Sequence, residues 1–185
     1  MLTWLAALDG AVLLWIQDWV RNPILNAFFS AFTHLGDAGM LWIALALVFV
    51  CIPRTRKAGI CALTALLLGL LCTNVTLKHL VERTRPWLVV EGLIPLIAEG
   101  DPNSFPSGHT TAAFAAGVVW WKTLPWTWGR VGALALAVLM GCSRLYVGVH
   151  FPSDVLAGAA VGALCALAAL ALWRGIAERR SRRSV

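Results

Sequence analysis

Charge is scarce in this chain. Only 13% of its 185 residues are Asp, Glu, Lys or Arg, against 59% hydrophobic residues, and the mean hydropathy is +0.77, far from the usual soluble composition. Such a chain cannot cover its apolar side chains with polar surface in water, so a soluble globule is excluded and a bilayer is implied. Acids are scarcer still, nine against fifteen Lys and Arg, for a net charge of +6. That excess does not describe a nucleic-acid binder, because no continuous basic face with interleaved aromatics is present. The cations fall instead in short connections, in a few clusters and in Arg179-Arg180-Ser181-Arg182-Arg183. Cysteine pairing is lacking as well. Cys51, Cys61, Cys72, Cys142 and Cys165 form no C-x-x-C pair and have no zinc spacing. They read as small buried hydrophobes, and neither a metal site nor another cofactor is expected. No basic stretch precedes the first apolar segment, which Asp9 interrupts, so a cleavable signal peptide is not expected. Internal repeats and low-complexity linkers are lacking too, and the length suits one domain over 1–185.

What is abundant is apolar length. A helix needs about 20 mostly apolar residues to cross the hydrocarbon, and five segments reach or approach that: 38–52, 58–78, 107–122, 129–146 and 154–173. The pattern predicts an all-α, polytopic transmembrane helix bundle. The links Pro53-Arg54-Thr55-Arg56-Lys57 and Lys122 to Arg130, with the tail from Arg174, hold ten of the fifteen Lys and Arg. Five alternating spans put all three on one side, which the positive-inside rule makes cytoplasmic. Eight of the nine acids, all but Glu178, then fall on or near the other side. The N-terminal 1–35 is expected to form two amphipathic helices in the outer interface, anchored by Trp4, Trp15 and Trp19. A sixth span is the alternative. The expected organisation is therefore interfacial helices over 1–35, a bundle over 36–174 and a basic cytoplasmic tail over 175–185.

Three polar clusters sit where the long apolar segments meet the outer face. In the first, Lys78, Glu82 and Arg85 have spacings of four and three, which would share a helix face. Snorkelling cations at a helix end are the ordinary alternative, and Arg83 reads as an interfacial anchor or a partner for Glu82. In the second, Pro106-Ser107-Gly108-His109 opens a helix. Ser107 is a good cap, free amides there attract anions, Gly108 allows close backbone approach and His109 can donate a proton. A plain capped helix explains the same residues. The third holds Ser143 and Arg144, then His150 and Asp154. A carboxylate on one imidazole nitrogen leaves the other free as a nucleophile, whereas a helix-start aspartate beside an interfacial histidine needs no chemistry. Each cluster alone is ambiguous. Three cations and two histidines gathered at one membrane face, where ionisable groups are expensive, point together to a phosphate site.

These residues resemble the signature of the type 2 phosphatidic acid phosphatase superfamily. The pattern Lys-x6-Arg-Pro, Pro-Ser-Gly-His, Ser-Arg-x5-His-x3-Asp is matched by Lys78, Arg85 and Pro86, by Pro106 to His109, and by Ser143, Arg144, His150 and Asp154. The resemblance implies a metal-independent phosphatase with a phosphohistidine intermediate. His150 would be the nucleophile, Asp154 its orienting partner and His109 the general acid. Lys78, Arg85, Arg144, Ser107 and Gly108 would hold the phosphate. A short chain of this kind is similar to bacterial undecaprenyl-diphosphate phosphatases, which implies a plasma-membrane enzyme facing outward and recycling a cell-wall lipid carrier. Phosphatidylglycerophosphate and phosphatidate are the alternative substrates, and Glu91, Glu99 and Asp101 are expected to bear on the head group. An anion transporter would use the same cations, but with its site nearer the bilayer midplane. A phosphate-binding protein without turnover would not need both histidines and Asp154.

Overall fold

The computed structural model describes residues 2–183, and 79% of the chain is helical. Helix α1 (Leu2–Trp15) runs into a π-helical turn, Ile16–Val20. Asn22 caps α2 (Pro23–His34) by accepting the Leu25 amide, with Pro23 as the first helical residue, where its missing N–H costs nothing. A short turn, Asp37–Gly39, leads into α3 (Met40–Cys51). Helix α4 (Arg56–Leu70) continues through π-helical turns over Leu71–Leu77 into α5 (Lys78–Val81). After α6 (Pro86–Val89) come α7 (Gly108–Thr123), α8 (Thr127–Tyr146) and α9 (Pro152–Arg183).

Helix α7 is the hub, packed against α4, α8 and α9. Its buried Ala113, Ala115, Ala116 and Gly117 give close helix approach in place of bulky interdigitation. The contact with α9 is tight at Gly162, where an added Cβ would lie 2.9 Å from the Ala115 amide nitrogen. Toward the other end, Trp42 and Phe49 of α3 meet Trp120 of α7, and the Trp173 indole donates to Thr64 across α9 and α4. Leu156, Leu164 and Leu172 of α9 remain exposed, as a lipid-facing surface would.

Two or three crossings are clear from helix length and composition among the described residues. Helices occupy all five expected segments, and among the described residues Arg56–Val81 and Pro152–Arg179 are the two long and apolar enough to cross a membrane. Helix α7 has 16 residues, about 24 Å of rise, and α8 carries arginines near both ends. A third crossing is available as a broken span, Pro23–His34 with Asp37–Cys51, bent by 52°. Of the two N-terminal helices, α2 has one apolar and one more polar face, whereas α1 does not. Helix α1 has no polar face, and it presses the buried Asp9 and Leu13 toward the bundle. Its neighbour α2 turns into the bent pair. Helix α9 continues through the basic tail to Arg183; Ser184 and Val185 lie outside the described residues. Cys61 and Cys165 are buried as expected, whereas Cys51, Cys72 and Cys142 are exposed on the helix surfaces.

Candidate active site

Lys78 follows the π-helical turns that end the long helix. Such a bulge shifts the phase of the residues after it and is common at functional sites. The Lys78 side chain is nearly buried and pairs with the Asp101 carboxylate. The helix stops at Val81, where Glu82 turns left-handed with φ of 46°. Lys78, Glu82 and Arg85 therefore do not share a helix face. Arg85 sits instead in extended backbone before Pro86 and α6, and the residue is 1% exposed. It donates from Nε to the Asp101 carbonyl (2.9 Å) and from Nη1 to the Val149 carbonyl (3.0 Å).

Ser107 caps α7 as anticipated, accepting from the Thr110 amide and hydroxyl. Gly108 packs against Asn74, whose Oδ1 would lie 3.3 Å from an added Cβ. His109 meets Asp37 through Nε2, 2.9 Å from Oδ1. On α8, the fully buried Arg144 donates to the Thr33 hydroxyl at 2.7 Å and pairs with Glu99, while its Nε has no partner. His150 lies in the tight link before α9, with Nε2 3.0 Å from Arg85 Nη1. An arginine can only donate, so Nε2 is the accepting, unprotonated nitrogen. Burial, together with the charges of Arg144, Arg85, His109 and Lys78, holds the His150 pKa well below 6.5. Asp101 shifts down too: burial opposes its charge, but hydrogen bonds from Lys78 and the Asn103 amide, with the charges of Lys78 and Arg85, prevail.

Asp154 departs from the expected hydrogen bond to the imidazole. Its Oδ2 is 3.7 Å from His150 Nδ1, beyond hydrogen-bond length, and Nδ1 has no partner. The carboxylate is already engaged by Arg83 Nη1 at 2.7 Å and by the Phe151 amide at 2.9 Å. Arg83 is accordingly no partner of Glu82. It bridges Asp154 and Asp9 and lies 4.0 Å over the Phe151 ring.

Lys78, Arg85, His109, His150, Glu99 and Asp101 line one side of a cavity of about 680 Å³. Besides Asp37, Asn74 and Thr111, the rest of its lining is apolar, including Ile43 of α3, Leu63, Leu66 and Leu70 of α4, and Ala112 of α7. Among the described residues, no group of three or more His, Cys, Asp or Glu side chains is arranged to hold a metal ion.

The PAP2 superfamily profile matches residues 58–177. The chain belongs to that superfamily. Among similar PAP2 proteins, phosphatidylglycerophosphatase B of Bacillus subtilis is 35% identical over 155 residues, covering 78% of this chain and 73% of its own. The undecaprenyl-diphosphatase of Sulfolobus acidocaldarius is 32% identical over 123 residues, 66% of this chain. The matched part is 58% of that relative's length. In structure, the PAP2-type phosphatidylglycerolphosphate phosphatase of Bacillus subtilis superposes with a TM-score of 0.75 at 30% identity, covering 92% of this chain and 86% of that one. These similarities place the chain among the membrane-embedded phosphate hydrolases of the PAP2 superfamily.

Several site residues lie outside the three sequence clusters. Thr33 and Asp37 come from the α2–α3 corner, Asp9 from α1 and Asn74 from the π-helical turns. Asp9 and Asp37 did carry a signal, as isolated acids in or beside apolar segments, where an ionised group needs a partner. Thr33 carried none.

Proposed function

We propose that this PAP2 protein is a metal-independent lipid phosphatase that converts undecaprenyl diphosphate to undecaprenyl phosphate through a phosphohistidine on His150. The observation that carries the reading is the accepting Nε2 of His150, held 3.0 Å from Arg85 beside a cavity that joins cationic side chains to apolar walls. That pairing suits an anionic head on an apolar tail. A neutral, buried imidazole has its lone pair on Nε2, and an incoming phosphate that draws the Arg85 guanidinium onto its own oxygens frees that lone pair for attack at phosphorus.

The Nε2 lone pair forms the N–P bond as the bond to the leaving oxygen breaks, and His109 delivers a proton to that oxygen. Water then attacks phosphorus, the N–P bond breaks and His109 takes the water proton, so inorganic phosphate leaves and the enzyme is regenerated. Lys78, Arg85 and Arg144 stabilise the anionic transition state, with the Ser107 cap and the Gly108 amide completing the cradle. Glu99 and Asp101 occupy Arg144 and Lys78, and an incoming phosphate competes with them for those cations. Asp154, held by Arg83, acts on His150 through its field and through the Phe151 amide. We assign residues 1–185 to one domain and the site to the outer membrane face, because the basic links lie at the opposite end. A bacterial plasma membrane is the setting this reading assigns.

Phosphatidylglycerophosphate is the second reading, supported by the name of the Bacillus relative with its 78% coverage of this chain. The test is phosphate release in detergent from undecaprenyl diphosphate, phosphatidylglycerophosphate and phosphatidate, with His150→Ala beside each. Release from the diphosphate, lost by at least about 1,000-fold in the variant, is expected. Preference for the glycerophosphate would keep the chemistry and replace the substrate. Turnover surviving in His150→Ala would remove it as nucleophile.

A further inference from the structure

The α2–α3 corner is built around the His109 ring. Gly36 is buried there, and a Cβ on it would lie 2.7 Å from His109 Cδ2, so any side chain would push the ring away. The next residues adopt backbone that L-residues rarely take: Ala38 has φ of 49° and Gly39 has φ of 73°. Positive φ at an alanine costs free energy and persists only where surrounding structure enforces it. The result is that Asp37 presents both carboxylate oxygens to imidazoles. Oδ1 is 2.9 Å from His109 Nε2, and Oδ2 is 2.9 Å from Nδ1 of the exposed His34. Burial and the Arg144 charge lower the His109 pKa to about 4, and the hydrogen bond and charge of Asp37, with the charge of Glu99, oppose that shift. The corner precedes residues 58–177 and all three sequence clusters.

We propose that Asp37 is the positioning residue of the leaving-group acid: it holds Nε2–H of His109, fixes the ring and supports its imidazolium form, with His34 steadying the second carboxylate oxygen. The proposal rests on the phosphatase reading above. With Nε2 committed to Asp37, Nδ1 is the nitrogen that delivers the proton. As the P–O bond breaks, the Nδ1 proton passes to the leaving oxygen and leaves a neutral ring still bonded to Asp37. When water attacks the phosphohistidine, Nδ1 recovers a proton. A carboxylate on the far nitrogen favours the charged ring before transfer and fixes which nitrogen acts.

The distinguishing property is dependence on the leaving group. An alkoxide must be protonated as it departs, whereas 4-nitrophenolate leaves without help. The experiment compares kcat/KM, which covers the first phosphoryl transfer, for phosphatidate and 4-nitrophenyl phosphate. Wild type, Asp37→Asn, Asp37→Glu and His34→Ala are assayed, with His150→Ala as the blank. Asp37→Asn is expected to raise the aryl-to-alkyl ratio of kcat/KM by about 10-fold or more, within the range of general acid catalysis. Asp37→Glu should restore part of the ratio, and His34→Ala should move it in the same direction by less. Equal losses on both substrates in Asp37→Asn and Asp37→Glu would show a merely structural role and overturn the proposal, as would an unchanged ratio. A faster Asp37→Asn enzyme would overturn it differently, by showing that the carboxylate competes with substrate for His109. Absence of His150-dependent release from wild type is a separate outcome and counts against the phosphatase reading itself.

Discussion

His150 has almost no contact with solvent and sits among the cations of the site. Burial and positive neighbours both disfavour a second proton on the ring, so the imidazole should stay neutral wherever an ordinary histidine would be half charged. With four histidines in the chain, this is measurable directly by ring-labelled NMR in detergent. The resonance lost in His150→Ala should not titrate between about pH 5 and 8, an interval that spans the ordinary imidazole pKa. A midpoint near 6.5 would contradict the environment described. The polar residues of the three clusters were legible because ionisable groups stand out in apolar sequence, and their spacing matched a family pattern. Their partners were not. Arg83 meets Asp154 71 residues away and Asp9 74 residues away, whereas local spacing offered only an interfacial anchor or a partner for Glu82. Spacing likewise brought Asp154 near His150, but it could not reveal that Arg83 and the Phe151 amide already engage the carboxylate.

At the scale of elements, the site depends on where helices end and how closely they pack. The left-handed Glu82 stops the long helix and frees Arg85 to turn inward, a change that the four-and-three spacing of Lys78, Glu82 and Arg85 concealed. The α7–α9 contact fixes the distance between the helix carrying His109 and the one carrying Asp154. Gly162 makes that contact possible, since a methyl there would press on α7 backbone, which cannot move as a side-chain tip can. Gly162→Ala should therefore destabilise the protein by about 1–3 kcal/mol, the usual cost of overpacking, despite the better helix propensity of alanine. Gly132 of α8 is the control, because nothing lies within 4 Å of its would-be Cβ. Gly132→Ala should be neutral or stabilising by up to about 1 kcal/mol. Thermal unfolding in detergent compares the two, and an equal response would show that the α7–α9 contact is not strained by a methyl. The glycines of α8 and α9 look alike in the sequence, which does not distinguish those that face a neighbour, such as Gly162, from those in open space, such as Gly132.

For the whole molecule, the two ends differ in charge chemistry. Arg54 from the α3–α4 link lies 5.7 Å over the Trp126 ring from the α7–α8 link. Arg56 and Lys57 share a cavity with Trp173, Ile176 and Ala177 of α9. Arg56 and Arg130 also donate to carbonyls at the ends of preceding helices, a favourable use of cations at helix C-termini. The basic links thus converge at one end, while His109, His150 and the acids Glu99 and Asp101 lie around the polar side of the main cavity. The orientation proposed above, from the positive-inside rule, has the basic end in the cytoplasm. The charge of the links was legible in the sequence without the span count, because it does not depend on each helix being long enough to cross alone. In a cysteine-free background, the exposed Arg54 and Glu91 provide one reporter at each end. With a membrane-impermeant maleimide on intact cells, Glu91→Cys should label promptly and Arg54→Cys only after permeabilisation. The reverse pattern would turn the site toward the cytoplasm and remove outer-leaflet lipid diphosphate as its substrate. Labelling of both in intact cells would mean that the bundle does not separate its ends across the bilayer, and the broken α2–α3 span would become the first element to re-examine.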